Sequence, residues 1–304
     1  MNILIFIDHE IIFRNFIHPG VFDEICKEFN VKFIFPEKDN KRFTDLDLKK
    51  FKLPAPVIRL PVDNRRYSLW NNRFFVSQMR LSHDIQKQSI RNLRLKTLGW
   101  KANLIFTALG LPLVYEWFNK INLKSITKFE NKRMKSILLN NDIDLVIHPT
   151  VLNGIYINDL IYYTKKYSIK SLFIMNSWDN PSTKRSIVGN PDWLFVWGDQ
   201  TKNHAIKYMN IPKDKVIKFG APQFENYQYQ QPLDETEFLS RNKVKKGYKI
   251  ILYAGSSKMT KEIEHLNLLD ETINKYNLKN IVILYRPHPW GLGGEGGEKI
   301  IKRK

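Results

Sequence analysis

Short runs of apolar residues alternate along this chain with longer stretches in which apolar residues recur every three or four positions. The short runs are typical of buried strands, and the longer stretches have the period of amphipathic helices. Strands that alternate with helices predict βαβ units, a parallel sheet and therefore an α/β fold. The predicted strands are Ile3–Ile7, Val31–Phe35, Val57–Leu60, Asp144–His148, Ser171–Met175, Trp193–Trp197, Val216–Phe219, Lys249–Ala254 and Ile281–Tyr285.

The helical pattern is longest from Tyr67 to Leu139, with a break at Gly110–Pro112. Shorter helices are predicted at Gly154–Tyr167, Gln200–Met209 and Lys261–Tyr276. Residues 225–246 have few aliphatic side chains and predict a linker that contains one short helix. We therefore expect an N-terminal Rossmann-like domain (1–224) with a helical insertion at about 67–139, and a C-terminal Rossmann-like domain (247–304).

The composition favours a globular protein with an anionic partner. Of the 304 residues, 43% are hydrophobic and 13% aromatic, which is enough for a sizeable core and excludes global disorder. The net charge of +19 favours nucleic acid, an acidic membrane face or phosphorylated substrates as partners, although a lysine-rich solvated surface gives the same total. The single cysteine, Cys26, excludes a disulfide framework and a cysteine-based zinc site.

The N-terminal sequence MNILIFIDHE has no basic leader and predicts a first strand rather than a signal peptide. The longest apolar stretch, residues 100–118, contains Lys101 and Glu116, so we interpret it as a buried or membrane-apposed pair of helices. These features predict a cytoplasmic protein, with attachment to the inner face of the cell membrane as an option.

The segment NSWDNPSTK directly follows a predicted strand, where ligands bind in open α/β sheets. Trp178 is suited to stacking on a sugar or a base. Asp179 and Asn180 can form hydrogen bonds, and Lys184 offers a positive charge to a phosphate. The alternative is an Asn-Pro turn with a packed tryptophan.

Two segments near the C-terminus predict a phosphate site. In ILYAGSSK, the small residues Gly255, Ser256 and Ser257 let backbone N–H groups and hydroxyls approach a phosphate, although this is not the Walker pattern. In YRPHP, Arg286 suits bidentate contact with phosphate oxygens, and His288 can donate a hydrogen bond or exchange a proton. A structural salt bridge and a packed histidine are the alternative. Parallel strands would bring both segments to one edge.

Asp8, His9 and Glu10 follow the first predicted strand. We expect them to face the phosphate site across an interdomain cleft, with His9 as a candidate general base for an acceptor hydroxyl.

Four segments together resemble the GT-B type of glycosyltransferase: SWDNPSTK, VWGDQTKNHAIKYMNIPKDKVIKFGAPQFE, ILYAGSS and RPHP. The resemblance is closest to members that build bacterial surface polysaccharides, with CDP-glycerol glycerophosphotransferases and UDP-GlcNAc 2-epimerases as relatives. Its most specific part runs from Trp197 to Phe224. The resembling segments span about residues 171–290, and the N-terminal region matches only in its βαβ pattern.

The resemblance implies a double Rossmann architecture, with the donor nucleotide mainly in the C-terminal domain and the acceptor mainly in the N-terminal one. It implies no cofactor and no catalytic metal, because positive side chains and helix N-termini offset the charge of the leaving diphosphate. One departure is that about 55 residues follow Lys249, without the glycine-rich loop and acidic residue that hold the donor. We therefore expect a complete N-terminal domain and a partial C-terminal one, as from a truncated or frame-shifted gene or from a fragment.

We accordingly expect a metal-independent glycosyltransferase that moves a sugar from a nucleotide-sugar to a surface-polysaccharide or lipid-linked acceptor, with an anionic membrane surface as an optional partner. A CDP-glycerol-type glycerophosphotransferase and a nucleotide-sugar 2-epimerase are enzymatic alternatives. A non-enzymatic alternative is a nucleic-acid binder that uses the basic, aromatic-rich stretch Arg65–Lys101.

Overall fold

The computed structural model describes residues 1–37, 52–71, 99–150, 152, 154–183, 189–225, 227, 231–256 and 261–287. The chain divides into two units, Met1–Tyr229 and Gln230–Lys304. The boundary between these units falls within the polar segment 225–246 that the sequence analysis marks as a linker.

The first unit is built on a seven-stranded sheet in the order β3-β2-β1-β4-β5-β6-β7, in which every pair of neighbouring strands is parallel. Its strands are β1 (Asn2–Phe6), β2 (Asn30–Pro36), β3 (Val57–Leu60), β4 (Leu145–Thr150), β5 (Lys170–Met175), β6 (Trp193–Val196) and β7 (Val216–Lys218). Each of them coincides with a predicted strand to within two residues at either end. The predicted α/β class with a parallel sheet is confirmed, and the strand order is Rossmann-like.

Helices connect the strands, and two of them begin where proline or asparagine predicts a start. The helices are α1 (Glu10–Ile12), α2 (Asp23–Glu28), α3 (64–71), α4 (Lys101–Gly110), α5 (Pro112–Lys128), α6 (Lys132–Leu139), α7 (Ile157–Lys166), α8 (Asn180–Thr183), α9 (Asp199–Met209), α10 (Glu235–Arg241) and α11 (Glu262–Lys275). Pro112 takes the first position of α5, which gives the predicted break after Gly110. Asn131 caps α6 by accepting from the N–H of Met134 at 3.0 Å.

Shorter helical turns are a π-helical turn at Phe13–Ile17 and 3-10 turns at Lys213–Lys215 and Pro222–Phe224. Among the helices that the structure describes, none is both long enough and apolar enough to cross a membrane. The part of the predicted helical insertion at 72–98 lies outside the described residues.

The sheet of the first unit is buried on both faces, as its nearly continuous apolar strands require. Successive residues of β1 enter different cores: Leu4 and Phe6 pack in one, and Ile3 and Ile5 in the other. Helices α6, α7 and α9 contribute to the first core, and α1, α2 and the π-helical turn contribute to the second. Within the described strands of this sheet, the buried polar side chains are only His148 and Thr150 in β4 and Ser171 in β5.

The second unit contains a two-stranded parallel sheet of β8 (Lys249–Ala254) and β9 (Ile281–Arg286), together with α10 and α11. The register pairs Ala254 with Arg286, so both strands end at the same level. Large apolar side chains such as Leu252 and Leu268 remain exposed in this unit, as expected for a sheet of two strands.

One buried ion pair ties the helices of the first unit together. The guanidinium of Arg66, in α3, donates to the carboxylate of Asp159, in α7, through both Nε and Nη2. Its Nη1 donates to the carbonyl oxygens of Ile126 and Phe129, at the end of α5. Trp70 Nε1 also donates to Asp159, at 2.6 Å. Burial opposes the charge of Arg66, but these hydrogen bonds outweigh it and raise the pKa of the guanidinium.

Replacing Arg66 with alanine is expected to destabilise the first unit by about 3–5 kcal/mol, because it leaves the Asp159 carboxylate buried without its partner. The measurement is urea unfolding followed by tryptophan fluorescence. Arg65→Ala is the matched control: Arg65 is exposed and lies over the ring of Phe129, a contact that contributes about 0.5–1 kcal/mol. Equal losses in the two variants would contradict this role for Arg66.

Candidate functional site

The strand order places a topological switch point between β1 and β4. From β1 the chain builds outward through β2 and β3, and it then returns to build β4 to β7 on the other side. Helical connections therefore leave the carboxyl ends of β1 and β4 in opposite directions and open a crevice there, where ligands bind in folds of this type. The polar residues that follow β1, β4 and β5 all lie at this carboxyl edge.

A buried carboxylate and a buried imidazole meet at the switch point. Asp8, two residues after β1, and His148, in β4, are both fully buried, and Asp8 Oδ2 lies 3.3 Å from His148 Nε2. The remaining polar atoms, Asp8 Oδ1 and His148 Nδ1, have no hydrogen-bond partner among the described residues. Buried polar atoms are almost always paired, so the two unpaired atoms distinguish this pair from most buried groups of the described residues.

His148 controls the ionisation of Asp8. Burial alone would raise the pKa of the Asp8 carboxyl, but the charge and the hydrogen bond of His148 outweigh burial, with a smaller contribution from the charge of His9. The pKa of Asp8 therefore lies below its ordinary value, and Asp8 is a carboxylate at neutral pH.

The chain that leaves β4 passes directly over Asp8. A Cβ atom added to Gly154 would lie 2.2 Å from Asp8 Oδ2, a distance that real Cβ atoms do not reach. Glycine at this position therefore lets the loop close over the carboxylate and keep it buried.

His9 lies beside the pair, at the start of α1. Its Nδ1 accepts from the backbone N–H of Ile11 at 3.1 Å and so caps the helix. A neutral imidazole that accepts at Nδ1 carries its proton on Nε2, so the ring in this state is a donor to a substrate. His9 can take a proton at Nε2 only in the tautomer that gives up the cap, and its role as general base remains a prediction.

Two amide side chains hold the tip of β5. Asn176, the residue after β5, accepts at Oδ1 from Asn15 Nδ2 at 2.8 Å. The backbone carbonyl oxygen of Asn176 accepts from Gln223 Nε2 at 3.2 Å. The π-helical turn and the 3-10 turn at Pro222–Phe224 are thereby fixed over this end of the sheet.

The predicted residues after β5 include a second group with unused hydrogen-bonding capacity. Asn180 is buried, and neither its Oδ1 nor its Nδ2 has a partner among the described residues. Trp178 is half-exposed, which leaves its ring open to stacking. Asp179 Oδ1 accepts from Ser177 Oγ at 2.6 Å. Lys184 lies outside the described residues.

Sequence reasoning missed His148 and Gly154 as members of this site. The signal for His148 is a titratable residue inside an otherwise apolar strand, LVIHPT. The signal for Gly154 is a glycine four residues after the strand, at a position where no turn demands it. Neither signal predicts a contact with Asp8, because His148 and Gly154 lie 140 or more positions after Asp8 along the chain.

In the second unit, a carboxylate already uses part of the predicted phosphate site. The N–H of Gly255 donates to the carbonyl oxygen of Arg286 at 2.8 Å, and the N–H of Ser256 donates to Glu262 Oε1 at 2.8 Å. Glu262 Oε2 also accepts from the hydroxyl of Tyr285; burial together with this hydrogen bond raises the pKa of Tyr285 to about 12. A phosphate at this loop must therefore displace Glu262 from Ser256.

Arg286 is exposed at the end of β9. It pairs with Ala254 in the strand register, and Gly255 is the residue after Ala254. The other predicted members of the phosphate site, Ser257 and His288, lie outside the described residues. Within the described ranges, no three His, Cys, Asp or Glu side chains are grouped closely enough to hold a metal ion.

Comparison of the sequence with protein-family models and with curated proteins finds no match.

Gly154→Ala is expected to push the Asp8 carboxylate away from His148 and to cost about 1–3 kcal/mol of unfolding free energy, as overpacking of a filled interior does. The measurement is urea unfolding combined with the NMR resonances of the His148 ring, which should shift. Gly198→Ala is the control, because a Cβ there meets nothing within 4 Å and the backbone is extended. A Gly154 variant as stable as the Gly198 variant would show that the loop does not close on Asp8.

The stability contributed by the Asp8–His148 pair is expected to vanish in acid. Because the folded-state pKa of Asp8 is lowered, its contribution is complete above the unfolded pKa of about 3.9 and is lost as pH falls further. We expect wild type to exceed Asp8→Asn in unfolding free energy at pH 5, and the difference to shrink at pH 4 and pH 3. Urea titrations at the three pH values measure this. If the difference between wild type and Asp8→Asn grew as the pH fell, the pKa of Asp8 in the folded state would be raised and not lowered.

Proposed function

We propose that this protein is a metal-independent glycosyltransferase of double Rossmann, GT-B-like architecture, which moves a sugar from a nucleotide-sugar to a surface-polysaccharide or lipid-linked acceptor at the cytoplasmic face of the membrane. One observation supports it above all: the chain carries two parallel α/β units, and each presents polar side chains where its strands end. A transfer between two substrates needs one binding edge for each of them.

The first unit supplies the acceptor side in this proposal. Asn180, whose amide atoms have no partner among the described residues, offers a donor and an acceptor to a hydroxyl group, and Trp178 offers an exposed ring to a sugar face.

The second unit supplies the donor side. Arg286 would balance the charge of the diphosphate, and Ser257 and His288 are further contacts that the sequence predicts. The diphosphate would replace Glu262 at the N–H of Ser256, so the loop is held in shape before the donor arrives. During transfer the acceptor hydroxyl attacks the anomeric carbon, the bond from that carbon to the diphosphate oxygen breaks, and the hydroxyl proton passes to a base. His9, in its uncapped tautomer, is the proposed base.

A nucleotide-sugar 2-epimerase is the second candidate. The observation in its favour is that Asp8, His9 and His148 lie together at one edge, since epimerisation requires acid and base groups around one sugar carbon. The two reactions differ in their products: transfer releases a free nucleoside diphosphate, whereas epimerisation returns the nucleotide still attached to a sugar.

A thermal-shift screen of the full chain against UDP, GDP, CDP and their sugar or glycerol conjugates is expected to identify one stabilising nucleotide. At a hundred times its Kd the ligand adds about 2.7 kcal/mol, which corresponds to a rise in Tm of about 5 °C. Arg286→Ala is expected to weaken that binding at least tenfold, the loss typical of a charge-assisted hydrogen bond. Cooperative melting with no shift by any nucleotide would contradict the proposal.

Two further variants test whether the effect is specific to Arg286 and to the loop at Ser256. Arg241→Ala is the matched control, because Arg241 is an exposed arginine of the same unit that pairs with Glu237, and it should leave the affinity unchanged. Glu262→Gln removes the carboxylate charge that competes with phosphate and is expected to tighten binding. With the nucleotide identified, mass spectrometry of the products then distinguishes transfer from epimerisation.

A further inference from the structure

Helices α4 and α5, with only Leu111 between them, form a helix pair whose exposed surface is unusually apolar. Every α4 side chain that the structure describes is exposed. Leu113, near the start of α5, is 86% exposed, the highest value among the large apolar side chains of the described residues. Trp100, at the start of α4, and Trp117, in α5, are 69% and 63% exposed. A concentration of exposed large apolar side chains in one segment is typical of a binding surface.

This apolar surface is distinct from the side of α5 that packs on the fold. Tyr115, Asn122 and Ile126 are buried, and their spacing places them on one side of the helix. Leu113, Trp117 and Ile121 are four residues apart and form a separate stripe, which is exposed. The stripe is therefore not part of the core of the first unit, and the described residues leave it uncovered.

A row of positive charge runs beside the apolar stripe. Lys120, Lys124 and Lys128 are also four residues apart, and all three are exposed. At 100° per residue, the mean direction of the row lies about 20° from that of the stripe around the helix axis, so both face the same side of α5. A fourth lysine, Lys101, lies in α4. Between residues 99 and 129 of the sequence, Glu116 is the one acidic residue.

We propose that the α4–α5 helix pair docks on an anionic lipid bilayer, with Leu113 and the two tryptophans in the interface and the lysine row on the headgroups. Tryptophan is enriched at the boundary between headgroups and acyl chains, and each lysine near an anionic surface contributes about 1 kcal/mol. Helix α5 has 17 residues and is about 25 Å long, so the helix pair lies in the interface rather than across the membrane.

Charge favours a bilayer over a second copy of the chain as the occupant. A symmetric dimer through this surface would set one lysine row against the other and desolvate like charges. The overall charge of +19 favours an anionic surface as well. The proposed function places the protein at a membrane, and this proposal names the surface that would contact it. Vesicle binding requires neither donor nor acceptor, so it can fail while nucleotide binding succeeds, and the reverse.

The test is co-sedimentation of the full chain with phosphatidylcholine vesicles, with and without 30% phosphatidylglycerol. We expect binding to the anionic vesicles that weakens as salt is raised, together with a blue shift of tryptophan fluorescence. Replacing Lys120, Lys124 and Lys128 together with glutamine should lower the partition coefficient on the order of a hundredfold.

The apolar stripe is tested by Leu113→Glu with Trp117→Glu, which should abolish binding. The matched control, Leu268→Glu with Tyr276→Glu, changes the net charge equally at positions 63% and 65% exposed in the second unit, and it should bind at least tenfold better than the stripe variant. No binding to anionic vesicles, or equal loss in both double variants, would overturn the proposal. So would a wild-type dimer that the stripe variant converts to monomer without any vesicle binding.

Discussion

Burial of the seven-stranded sheet on both faces is the constraint on which the rest of the structure depends. Strand β1 hydrogen-bonds to β2 on one side and to β4 on the other, so its residues alternate between two apolar cores. Polar side chains have almost no place within such a sheet except at its ends. The concentration of Asp8, His9 and Asn180 at the carboxyl edge is therefore a consequence of the sheet as much as of function.

The buried charges divide into two kinds, and the difference lies in how fully they are paired. All three nitrogens of the Arg66 guanidinium have partners, and the pair with Asp159 binds α3 to α5 and α7. Asp8 and His148 contact each other, but each has one polar atom without a partner among the described residues. A fully hydrogen-bonded network stabilises the fold. In an incomplete network the unpaired buried atoms are a free-energy cost, which a new hydrogen bond would remove. This contrast is the reason that the switch point, and not the Arg66 pair, is the candidate site.

Exposed apolar surface has different origins in the two units. In the second unit, a sheet of two parallel strands cannot bury both of its faces, so side chains such as Leu252 remain accessible. In the first unit, the core is full and the apolar stripe of α5 lies on the opposite side from Ile126, which is buried. The described residues therefore leave this surface of the helix pair uncovered.

The sequence by itself determined the strands, the α/β class and the residues that follow each strand, because apolar periodicity and turn residues act over a few positions. It also placed Trp178, Asp179, Asn180, Gly255 and Arg286 directly after strands. Only the tertiary structure brought His148 against Asp8, since a contact across 140 residues depends on the order of strands in the sheet, which local patterns do not encode. The hydrogen bond from the N–H of Ser256 to Glu262 and the exposed side of α5 were likewise visible only in the tertiary structure. Packing decides which side chains find hydrogen-bond partners and which face solvent.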